Sequence, residues 1–202
     1  MRLLQVHTLL SVGDFESSET YQQIETEIIN AIHCIKNPAN ADGFYLFNEK
    51  KSNGVVPIKN AFIQHLDSCG WKNEHICELE IKSRKIDSTK RLPNGKFFGV
   101  EWETGNISSS HRALNRLTLA IRDGLLEGGA LVLPSRSMYE YLTDRVGNFQ
   151  EIENYLSLWT DQSYAFRARH QGAVIKIFEI EHDGLSDQVP RINKGTDGRA
   201  RR

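Results

Sequence analysis

Three carboxylates have types and spacing suited to chemistry: Asp87, Glu101 and Glu103, at the two ends of the segment IDSTKRLPNGKFFGVEWE. The segment reads as two short strands joined by a turn at Pro93, Asn94 and Gly95. Strand side chains alternate between faces, so Glu101 and Glu103 project together while Trp102 points the other way. Folding the turn brings Asp87 toward that pair. Like charges raise one another's proton affinity, and a hard divalent cation relieves the conflict. Three acids gathered in this way therefore suggest a magnesium site for phosphate chemistry. Glu-Trp-Glu is equally the solvent face of a half-buried strand, and the motif alone does not separate the two readings.

The residues that follow show how such acids would be positioned. Thr104, Gly105 and Asn106 form a turn, and Ser108 to Ser110 supply helix caps. HRALNRLTLAIRDGLL then carries Leu114, Leu117, Ile121 and Leu125 along one helical face, with Gly128 and Gly129 expected to end it. ALVLP, from Ala130 to Pro134, reads as a buried strand. Strand, helix, strand implies a right-handed crossover and a parallel pair, with the acids near the carboxyl end of the first strand.

Asp at the end of one strand, Glu-x-Glu on the next and then a helix resembles the PD-(D/E)xK nuclease core of type II restriction endonucleases, in the BglII, BstYI and BamHI-like branch. The opening MRLLQVH, the helix around Ile24 to Ile35, PIKNAFIQHLDSCGWKNE and LVLPSRSMYEYLTDRVGNFQEIENYL are also similar to that branch. The resemblance implies an α/β fold with a restriction-endonuclease-like core, a central mixed β-sheet flanked by helices. It implies Mg²⁺ as cofactor, with Mn²⁺ able to substitute, and Asp87 and Glu101 as metal-binding catalytic carboxylates. Glu103 stands where most of the superfamily has lysine; lysine can stabilise a hydroxide or the developing phosphorane charge, whereas glutamate would bind metal or accept a proton. Ile86 replaces the usual proline before the aspartate. The activity implied is sequence-specific hydrolysis of phosphodiester bonds in double-stranded DNA by a homodimer, with a companion DNA methyltransferase protecting the host. A non-catalytic DNA-binding protein of the same fold and a repair or recombination nuclease are the alternatives.

DNA contacts are expected at the start of the crossover helix, from Asn106, Ser108, Ser109, Ser110, His111 and Arg112, because free helix amides attract phosphate. Arg167, Arg169 and His170, before the last strand, suit guanine in the major groove. Capping and a plain basic loop explain the same residues otherwise. The net charge of −1 does not advertise a polyanion binder, but the basic residues are clustered. Lys82, Arg84, Lys85, Lys90, Arg91 and Lys96 surround the acids, and Arg116 and Arg122 join His111 and Arg112 on the helix. Phosphate binding beside a cation needs both signs.

At 202 residues, 39% of them hydrophobic, the chain is predicted to form one endonuclease domain over residues 1–185, with a flexible basic tail over 186–202. The absence of a membrane-length apolar run or signal peptide predicts a cytoplasmic protein. Cys34, Cys69 and Cys77 lack zinc spacing and are read as reduced, packed thiols. A second helix is predicted from Pro57, with Ala61, Phe62, Leu66 and Cys69 inward. ICELEIKSRKID is predicted to be one strand, Asn148 to Trp159 a helix and AVIKIFEIE a late strand. Glu27 is a candidate accessory acid or a surface residue.

Overall fold

The computed structural model describes residues 1–77, 84–143, 146–160 and 172–193. A mixed sheet of six strands runs in the order β1 (Arg2–Gly13), β7 (Gly172–Glu181), β6 (Leu126–Pro134), β5 (Phe97–Trp102), β4 (Arg84–Arg91), β3 (Lys72–Cys77). The pairs β5–β6 and β6–β7 are parallel, and the other pairs in this sheet are antiparallel. β2 (Tyr45–Phe47) and β8 (Gly184–Ser186) form a separate parallel pair. The expected central mixed sheet flanked by helices is thus present.

Side-chain alternation splits the apolar residues into two cores. Ala130 and Val132 of β6 join Val174, Phe178, Phe98 and Trp102 under α1 (Glu19–His33) and α2 (Val56–Ser68). Leu131 and Leu133 join Ile175, Ile177 and Ile86 under α3 (Ile107–Arg122). Every residue of β7 is buried, as expected for a strand covered on both faces. Among the described residues no helix is long and apolar enough to cross a membrane.

Several local expectations need correction. The helix α3 ends at Arg122 and not at the paired glycines, because Gly124 takes a positive φ of 79° and closes the helix. Gly128 and Gly129 lie inside β6, where a Cβ at Gly129 would meet Leu117 of α3 at 2.9 Å. The pair therefore serves close helix-sheet packing. ICELEIKSRKID is not one strand: β3 pairs antiparallel with β4, Cys77 opposite Arg84, so the chain reverses between them. The region Asn148 to Trp159 divides into two short helices, Phe149–Glu153 and Leu156–Thr160. Cys34 is exposed and not packed. Within the segment expected to be loose, residues 186–193 include Ile192, which is buried in the core and accepts a bond from the Gly54 N–H at 2.8 Å.

Candidate active site

The turn at Pro93–Gly95 has the expected form, with Gly95 at φ 86° and its N–H bonded to the Leu92 carbonyl. It folds β5 back on β4 in a ladder running from Arg91–Phe97 to Ser88–Val100. Beyond that pair the Trp102 N–H donates to Asp87 Oδ2 at 2.9 Å. An aspartate side chain thus takes over where the backbone ladder stops, fixing Asp87 at the carboxyl end of β5. β5 continues against β6, since the Glu103 N–H donates to the Val132 carbonyl.

Trp102 packs on Phe62 of α2, with ring centroids 4.8 Å apart, while Glu101 turns toward α3. Glu101 is 1% exposed, and its Oε1 accepts from Arg116 Nη1 at 2.5 Å. The same Nη1 donates to the Lys85 carbonyl at 2.9 Å, so α3 is tied to both site strands. Asp87 Oδ1 accepts from Lys59 Nζ of α2 at 2.7 Å. Glu103 is partly buried beside the Gly105 turn, where a Cβ would lie 3.2 Å from Glu103 Oε2.

The three acids sense one another. Burial foremost, then the charge of Asp87, push the Glu101 carboxyl up to about 8, against the pull of Arg116. Glu103 also moves above the ordinary carboxylate range, first through burial and then through Asp87, with Lys59, Arg116 and Arg112 opposing. Hard oxygen donors held near one another against their repulsion are the donor set a magnesium-sized cation requires. Two side-chain cations, Lys59 and Arg116, now balance them. Among the described residues no three His, Cys, Asp or Glu close into a ready metal cage. The donors thus fit a divalent ion in chemical type, with the ammonium and guanidinium bonded to two of them.

Lys59 has no site role in the sequence pattern, and Arg116 stands there only among the clustered basic residues of the crossover helix, not as a partner of Glu101. For Lys59 a faint signal existed, since a lysine in the first turns of a helix opposes the helix dipole. Arg116 lies on the polar flank of an amphipathic helix, and nothing in the pattern points it at Glu101.

At the start of α3, Asn106 is the N-cap, its side chain accepting from the Ser109 N–H, and Ser108 and Arg112 are exposed. Arg112 donates to Ser109 Oγ at 2.7 Å. Ser110 is fully buried, which turns its hydroxyl away from any solvent-borne ligand. His111 packs against Tyr155 and Trp159, with centroids at 5.1 and 5.8 Å. Arg167, Arg169 and His170 lie outside the described residues. Lys90 turns inward to Glu27, at 2.6 Å, and the Trp71 indole N–H donates to the same carboxylate. Glu27 is therefore a paired, largely buried residue and not a surface one.

The family model described as restriction endonuclease BamHI matches residues 1–199. The chain belongs to the BamHI restriction endonuclease family. Among the family's curated relatives, the type II restriction enzyme OkrAI of Oceanobacter kriegii is 42% identical over 202 residues, covering 99% of both chains. The type II restriction enzyme BamHI of Bacillus amyloliquefaciens is 34% identical over 193 residues, covering 91% of this chain and 84% of that one. The crystal structure of restriction endonuclease BglII complexed with a DNA 16-mer matches at a TM-score of 0.64 over 95% of this chain and 86% of that one. At 11% identity, that likeness establishes the fold. The expected restriction-endonuclease family and architecture are borne out.

Proposed function

We propose that this member of the BamHI family is a Mg²⁺-dependent type II restriction endonuclease that hydrolyses phosphodiester bonds in double-stranded DNA at a specific sequence, using Asp87, Glu101 and Glu103. The observation that carries the site assignment is Glu101. A buried carboxylate bonded to a helix arginine, beside two more acids at the carboxyl end of a central strand, is costly for a merely structural residue.

Asp87 and Glu101 would hold the cation, with Glu103 beside them. When bound, the cation polarises the scissile phosphate and lowers the pKa of a coordinated water. Asp87 is oriented by the Trp102 N–H and Glu101 by Arg116, so both carboxylates are aimed before substrate arrives. Glu103 accepts a proton from the attacking water; burial raises its proton affinity above the ordinary carboxylate range, the direction a general base needs. Asn106, Ser108 and Arg112, at the exposed start of α3, would contact the DNA backbone. We further propose that two copies act on a palindrome, that Mn²⁺ replaces Mg²⁺, and that the enzyme works in the cytoplasm beside a protecting methyltransferase.

Incubating purified protein with plasmid and Mg²⁺ should yield discrete fragments, lost on adding EDTA. Glu101→Ala should still shift DNA on a gel while cutting at least a thousandfold more slowly. A Glu101→Ala protein that cuts at the wild-type rate removes Glu101 from the mechanism, and wild-type protein that binds without cutting rejects the enzyme reading.

A further inference from the structure

The two cations that neutralise the acids are held differently. Arg116 is anchored twice through one nitrogen, to Glu101 and to the Lys85 carbonyl, and 20% of its side chain is exposed. Lys59 bonds, among the described residues, only Asp87, and 38% of its side chain is exposed. Its helix is fixed from beneath by buried Ile58, Phe62 and Leu66, so the lysine stem, and not α2, is the part free to move. The ammonium also lies close enough to Glu103 for its charge to stabilise that carboxylate. It stands near the start of α2, where the helix dipole opposes a cation. A long flexible cation is therefore kept beside the acids by a single bond to the oxygen that a divalent ion would need.

We propose that Lys59 is a phosphate-contacting residue of the active site: its ammonium holds Asp87 Oδ1 until a divalent ion takes that oxygen, then moves to a phosphate oxygen of the bound DNA. The inference rests on the proposed nuclease reading and extends it to a residue on a different element. The physical reason is charge. A divalent ion on Asp87 Oδ1 would repel the ammonium bonded to that oxygen at 2.7 Å and compete with it for the carboxylate charge. The displaced lysine needs a new anion, and the backbone of a duplex supplies one at the same mouth. An arginine would make the same transfer, whereas a neutral side chain of equal length would not.

The test compares wild type, Lys59→Arg, Lys59→Gln and Lys59→Met; Met retains most of the apolar stem, so lost packing can be told from lost charge. Two measurements are needed besides cutting. Mn²⁺ binding to the DNA-free protein, followed by electron paramagnetic resonance, should tighten several-fold in Gln and Met, because the competitor for Asp87 is gone. DNA binding to a duplex carrying the mapped cut sequence, measured in EDTA and again with Mn²⁺ in a non-cutting Glu103→Gln background that keeps both proposed cation holders, should be followed against salt. With Mn²⁺ present, the slope of log affinity on log salt should become shallower by about 0.9 for each subunit engaged in Gln and Met, and stay at the wild-type value in Arg. Tighter Mn²⁺ binding with unchanged salt slopes in Gln and Met would make Lys59 a structural partner of Asp87 and overturn the proposal. Failure of the wild-type protein to cut would instead count against the nuclease reading, and the slopes, then taken on a plasmid fragment that the protein shifts on a gel, would still judge Lys59.

Discussion

Glu101→Gln should flatten the pH dependence of folding stability between pH 5 and 8. In the unfolded chain this carboxyl titrates at its ordinary value, near 4.5, and in the fold it is pushed up to about 8. Between those values the native protein binds a proton that the unfolded chain has released. Stability therefore falls as pH rises, by up to about 1.4 kcal/mol per pH unit. The contribution is fully present below pH 4.5 and is lost as pH passes through 8. Integrated from pH 5 to 8, with partial protonation at both limits, it amounts to about 3.5 kcal/mol. At 202 residues that corresponds to a change in melting temperature of about 7 to 14 °C. Glu103, also raised, adds to the wild-type slope in the same direction and leaves a residue of it in the variant. Glutamine keeps the shape and an oxygen for Arg116 but cannot ionise. The assay is urea denaturation in EDTA at half-unit pH steps, read as the difference between the two proteins. Curves that stay parallel within about 0.5 kcal/mol from pH 5 to 8 would show that Glu101 is not held as a strained, buried acid, and the site electrostatics would need another account.

Two further substitutions test the scaffold. Glu27→Ala leaves the Lys90 ammonium with the Cys69 carbonyl alone and removes the acceptor of the Trp71 indole N–H, and should cost about 2 to 4 kcal/mol in denaturation while the cutting rate per folded molecule stays near wild type. A tenfold loss of single-turnover rate in folded protein would return Glu27 to the catalytic set. Gly129→Ala places a methyl against the Leu117 side chain at 2.9 Å and should lower stability by about 1 to 3 kcal/mol, because the buried Leu117 must shift in a packed core; an unchanged melting temperature would refute close packing there.

The short-range features of the site were legible in the chain. Two-residue periodicity, a Pro-Asn-Gly turn and a helical stripe separate strand from helix within a few residues, and they put Glu101 and Glu103 on one face after a hairpin from Asp87. The parallel crossover followed from element order alone. The sequence was less informative wherever two distant segments compete for the same residue. Paired glycines look like a helix stop until Leu117 is found lying over Gly129. A run from Ile76 to Asp87 looks continuous until β3 folds back on β4. Glu27 looks like a spare acid until Lys90, far along the chain, closes on it.

What the amino-acid order settled by itself was the presence of three acids, their spacing and the elements bearing them, because backbone alternation and turn geometry are local. Only the tertiary structure decided that Glu101 is buried, that Arg116 answers it from α3 and that Lys59 reaches Asp87 from α2. Charge interactions act across space with no regard for separation along the chain, and solvent exclusion, which fixes their strength, exists only after the sheet and its helices have closed around them.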